Sequence, residues 1–230
     1  MRMIPAKWLA VGLLAIMIGL MVGASLQDSA TVDETGHLAL GYINWNGART
    51  RLGAEMHPPL ASLVVSFPLL FMNVKLSDTA QAMVQGELGY PWTPSWQGTL
   101  RPIQGLLVPG CRGQYVRIPP LGDTLIQWQS PTTYPVDNWY YRAMPEGQMF
   151  GKVVVYGGAN NGDAMLLLGR LAQILLSALT GVVIFFWARR VAVQENAAVL
   201  ALALWVFNPI ALAYGHVVNT DIGATLGITL

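Results

Sequence analysis

Apolar runs of unequal length punctuate the chain, and their spacing predicts most of its elements. The first is uncharged from Trp8 to Leu26, enough for one membrane span of about twenty residues. The second, residues 58–74, is short and interrupted by Pro68. The third fills 164–188 and is followed at once by Arg189 and Arg190. The fourth runs from about Ala197 to Tyr214, with Pro209 placed to kink its last turns. A further run opens at Ile222 and stops at Leu230, too short to cross. The stretch 77–157 is different: it holds nine of the fourteen prolines, with Trp92, Trp96, Trp128 and Trp139, and predicts little helix. A cleavable signal peptide is the alternative for the first run, with Val22-Gly23-Ala24 as a loose cleavage site, but the run exceeds a typical signal core. The expected fold is an all-α membrane protein with transmembrane helices, juxtamembrane helices and one long external loop. It divides as 1–76, 77–157 and 158–230.

Charge placement orients these runs. Arg2 and Lys7 precede the first span, and basic flanks stay inside, so the N-terminus is expected in the cytoplasm. If 58–74 crossed, Arg189 and Arg190 would end outside. If it stays on the outer side, 77–157 is external, the Arg pair is cytoplasmic, and Asp33, His57, Asp163 and Asp221 share one side. The second arrangement is the expected one. Overall, 53% of residues are hydrophobic and 11% charged, against roughly 25% charged in soluble domains. A net charge of +1 gives no case for nucleic acid. Cys111 is the sole cysteine and the three histidines are far apart, so no Cys-based or His-rich metal site is expected, which leaves only an Asp/Glu cluster as a place for a metal.

Local chemistry concentrates between Asp33 and Leu60. Thr31 and Glu34 have capping-box spacing, so a helix is expected from Val32 with Asp33 and Glu34 in its first turn. Asp33 and His37, four apart, share a face, and Gly47 is expected to end the helix. His57 precedes a proline and is pushed out of helical geometry, and Pro58 suits the start of a second helix. Farther on, Asn161 is a good N-cap, with Asp163 in the first turn that follows. Arg170 falls about two turns into that span, roughly 10 Å deep at ~1.5 Å per residue. Two helix starts and a snorkelling arginine would account for all of this without function. The aromatics of 77–157 suit a small packed lobe, the membrane interface belt or stacking on sugar rings.

The order of these motifs resembles a family. An Asp-Glu pair just outside the first span, a juxtamembrane helix and His-Pro-Pro-Leu (57–60) opening another helix look like the multi-spanning glycosyltransferases of the GT-C class that use lipid-phosphate sugars. Among these are the protein O-mannosyltransferases and the lipid A aminoarabinose transferases. Asn-Asn-Gly-Asp (160–163) leading into the span with Arg170, then Asn208-Pro209, His216 and Thr220-Asp221, extend the likeness over roughly 1–73 and 158–230. The resemblance implies a partial GT-C fold in a bacterial or archaeal plasma membrane. It implies inverting transfer from a polyprenyl-phosphate sugar to a hydroxyl of an acceptor protein or glycolipid on the external face, with no cofactor. Asp33 would be the base and Glu34 its orienting neighbour. His57, Arg49, Arg51 and Arg170 would meet the lipid phosphate, and Asp221 would complete the site. Family members continue through many further spans, so the chain is expected to be an N-terminal fragment, inactive alone. The competing expectations are a membrane transporter, with Arg170, His216 and Asp221 lining a path, and a non-catalytic scaffold in which Asp33 and Glu34 merely cap.

Overall fold

The computed structural model describes residues 5–47, 59–85, 114–118, 122–126, 139–192 and 194–230. The first apolar run forms helix α1 (Ala6–Ser25). A short turn leads to α2 (Val32–Trp45), then α3 (Pro59–Ser66) runs on as a 3-10 segment, Phe67–Phe71, and α4 (Asp78–Gln85) follows. Strands β1 (Gln114–Ile118) and β2 (Gly122–Ile126) pair antiparallel with Val116 opposite Thr124. The rest is α5 (Trp139–Tyr156), α6 (Gly162–Val191), α7 (Glu195–Val206), α8 (Pro209–Gly215) and α9 (Asp221–Thr229).

Mostly helical architecture matches the expected class, with the hairpin as its one departure among the described residues. Among the described residues two helices, α1 and α6, are long and apolar enough to cross a membrane. The α7–α8 pair adds a third span if its 57° bend is accommodated within one crossing. That bend falls where Pro209 withholds an amide hydrogen, and Asn208 Oδ1 caps the new start by accepting from Ile210 and Ala211. The apolar stretch Pro59–Phe71 is too short to span.

The expected loop 77–157 needs correcting at both ends: α4 opens it, with Ala80 and Met83 buried in the same cluster that α5 joins. Residues 139–156 are helix α5, and they belong to the folded body. Met149, Phe150, Val153, Val154 and Val155 are buried there with Leu38, Ala39 and Ile43 of α2, Val65 and Leu69 beyond it, and Met165 and Leu166 of α6. Each such side chain contributes about 1.5–3 kcal/mol on burial. A second cluster joins α1, α6 and α7 through Ala10, Met17, Met21, Ile174, Phe185, Ala198 and Leu202. Within lipid this second cluster is held by close packing rather than water exclusion.

Helix α2 lies wedged between α3 and α5, and glycine makes both approaches possible. A Cβ on Gly41 would strike the Ser62 carbonyl, and one on Gly151 would strike the Thr35–Gly36 peptide. Gly151→Ala should therefore destabilise the protein by about 1–3 kcal/mol, the usual cost of overpacking against backbone. Gly12→Ala, where nothing lies within 4 Å, should leave the melting temperature level or slightly raised. Thermal melts in detergent check the pair, and equal melting temperatures for the two variants would contradict the wedge.

Candidate functional site at the start of α2

The turn from α1 into α2 is fixed by its own sequence first. Thr31 Oγ1 accepts from the Glu34 amide at 3.4 Å, and Glu34 Oε2 accepts from the Thr31 amide at 2.8 Å, completing the capping box. Asn46 and Gly47, the latter at φ 73°, close the far end. The box puts Asp33 and Glu34 side by side on the helix but on different sides of it. Asp33 faces solvent; Glu34 is 0% exposed.

Glu34 meets Arg170 in the interior. Nε and Nη2 of Arg170 donate to Oε1 and Oε2 of Glu34, each at 2.8 Å. The guanidinium also donates to three carbonyls at the end of α1: Nη1 to Ser25 (2.7 Å) and Asp28 (2.9 Å), and Nη2 to Ser29 (3.0 Å). An arginine has five N–H donors, and all are occupied. Glu34 is equally full. Besides Arg170 and Thr31 it accepts from the Val218 amide at 3.1 Å. Burial pushes the Glu34 carboxyl up, but the Arg170 hydrogen bonds, the Thr31 and Val218 amides and the Arg170 charge outweigh it and hold the group below its ordinary value of 4.5. Arg170, 3% exposed, thus has every donor engaged within the protein, contrary to the phosphate-binding role that the resemblance implied. Glu34 is likewise committed to the fold rather than free to orient a substrate.

A second polar contact grips the same turn. His216, just beyond α8, places Nε2 2.7 Å from Asp28 Oδ2 and Nδ1 2.8 Å from the Leu212 carbonyl. Both ring nitrogens thus lie within hydrogen-bond distance of an oxygen, one from the α1–α2 turn and one from α8.

Around the exposed Asp33 the surface is built by α5. Gln148 Nε2 donates to Asp33 Oδ1 at 3.2 Å. Gln148, Lys152 and Tyr156 stand four residues apart and share one face of α5, with Lys152 exposed. The Tyr156 phenol is pushed above its usual value, by desolvation first and then by the Asp163 and Glu34 charges, with Arg170 opposing. Asp163 and Asp221 are exposed in the first turns of α6 and α9. Asp221 is linked to the α2 start only indirectly, through Val218 three residues earlier. His57, Arg49 and Arg51 lie outside the described residues. Among the described residues no three or more His, Cys, Asp or Glu gather to hold a metal ion. Gln148, Lys152 and Asp28 were not visible as site residues in the sequence. The one available signal was Asp28 and His216 falling at the same end of the expected spans. No family model, curated protein or solved structure matches this chain.

Arg170→Met should cost about 3–5 kcal/mol at neutral pH, because it strands a buried carboxylate. In the wild type, Glu34's depressed value means that its stabilisation is complete above pH 4.5 and fades as pH falls through the folded value. Without Arg170, burial dominates and Glu34 shifts upward, so protonation relieves the variant. The gap between the two melting temperatures should therefore narrow from pH 7 toward pH 4. A gap that stays constant would show that the pair does not carry this stability.

Proposed function

We propose that this chain carries the base-bearing part of a membrane glycosyltransferase that moves a sugar from a polyprenyl-phosphate donor to an acceptor hydroxyl. The observation that carries the reading is the division of the acid pair: Glu34 is locked inside while Asp33 is held at the surface with its carboxylate reachable. A base needs that access, and the rigid start of α2 limits where the carboxylate can move. In the reaction the acceptor hydroxyl gives its proton to Asp33 as its oxygen bonds to the anomeric carbon. The bond from that carbon to the phosphate oxygen breaks with inversion, and polyprenyl phosphate leaves. The leaving anion needs a cation. Arg170 is spent, so within this reading the role passes to exposed cations, with Lys152 on the Gln148 face of α5 the first candidate. His57, Arg49 and Arg51 remain in the proposal, as does Asp221. The Asp33 end is assigned to the external face of a bacterial or archaeal plasma membrane. A transport path finds less support, since Arg170 and His216 are both engaged in contacts that hold the α1–α2 turn.

Membranes carrying the wild-type gene product should transfer labelled sugar from a polyprenyl-phosphate donor. Asp33→Asn should lower that rate by about 10²–10⁴-fold, the range for losing a general base, at unchanged abundance. Lys152→Gln should raise KM for the donor more than it lowers kcat. Undiminished transfer by Asp33→Asn would sink the assignment.

A further inference from the structure

The opposite end of α6 carries a site of a different kind. Val183, Phe186, Trp187 and Arg190 fall at i, i+3, i+4 and i+7, a single helix face. With Arg189 they line an open groove of about 610 Å³. Phe186 and Trp187 are both more than half exposed. Arg189 Nη2 is bonded to Glu195 Oε1 at 3.0 Å, while Arg190 has no ion pair among the described residues.

Length sets the depth of this groove. At ~1.5 Å per residue α6 is about 45 Å long, longer than the ~30 Å hydrocarbon core. Its last turn therefore reaches the headgroup layer. Packing sets what surrounds it. Leu14 of α1 lies against Gly181, and the Ser25 carbonyl meets Arg170, so α1 runs antiparallel to α6. That register brings Lys7 and Trp8, with Lys7 Nζ 5.8 Å from the Trp8 ring centroid, to the same end as Trp187 and Arg190. The result is a basic, aromatic rim with Glu195 as the acid on α7 facing it.

We propose that this groove binds an anionic phospholipid of the surrounding leaflet. The phosphate sits on the Arg190 guanidinium with Arg189 beside it, and the first acyl carbons lie along Val183, Phe186 and Trp187. A headgroup with its own cation would bring that charge against Arg190, Arg189 and Lys7, so phosphatidylglycerol fits where phosphatidylcholine does not. Neither the transferase reading nor Asp33 enters this argument.

Native mass spectrometry of the purified full chain, with equal phosphatidylglycerol and phosphatidylcholine added, tests it. Phosphatidylglycerol adducts should predominate. Arg190→Gln should reduce them about fivefold, the effect of one basic side chain at an anionic surface, while Lys7→Gln, at the same end but outside the groove, should change them by less than half as much. Equal retention of the two lipids by the wild type overturns the proposal without any variant. Equal loss in Lys7→Gln and Arg190→Gln would show a diffuse field rather than a site. Displacement of the lipid by excess glycerol phosphate would show that phosphate alone is recognised and the acyl contact is wrong.

Discussion

The fold depends on one buried ion pair. Arg170 sits within a membrane-length helix, where an unpaired guanidinium is strongly disfavoured. Glu34 sits on a helix of 14 residues, too short to cross. Neither is tolerable alone, and together they leave no donor or acceptor on either side chain unused. Three pieces of chain are thereby tied at one point: the end of α1 through its carbonyls, the start of α2 through its capping box, and the α8–α9 turn through Val218. The carbonyl contacts also place a cation at the C-terminus of α1, where the helix dipole favours one.

Such a pair adds little stability over a well-packed apolar core, because desolvation offsets much of the attraction. Its effect is positional. Fixing Glu34 fixes the rotation of α2, and with it the direction of Asp33 one residue earlier. The glycine contacts act in the same sense. Gly41 lets α2 sit directly on α3, and Gly151 lets α5 lie against the Thr35–Gly36 peptide. Asp33 is consequently exposed on a helix packed closely between two others, next to a Gln148 supplied by α5.

What the sequence made legible were the features with local causes. The Thr31–Glu34 box, the Asn161 cap, the Gly47 stop and the bend at Pro209 each follow from residues within one turn of one another. Long uncharged runs were equally readable, since span length is set by bilayer thickness. The misreadings all involve partners distant in the chain. The resemblance assigned Arg170 to a lipid phosphate, and nothing local in the sequence marked Glu34, 136 residues away, as its partner. Helix α5 was hidden because the prolines and aromatics of 77–157 mask an apolar face that acquires meaning only once α2 is there to cover it. Asp28 drew no notice, because an acid in a short turn is ordinary until His216 is brought to it.

The two ends of α6 then follow from one requirement, that a helix longer than the hydrocarbon core must end in polar surroundings on both sides. They meet it differently. At the Arg170 end, charge is taken inside and neutralised by protein, so the surface left to solvent is shaped by Asp33, Gln148, Lys152 and Asp163. At the Arg190 end, charge is left outside among aromatic rings, with Glu195 offsetting only Arg189. An internalised pair fixes geometry and is insensitive to the lipid around it. The same helix thus holds a charge neutralised by protein at one end and an exposed charge among aromatic rings at the other, and the bend at Pro209 returns the chain to the first end, where Val218 completes the Glu34 carboxylate.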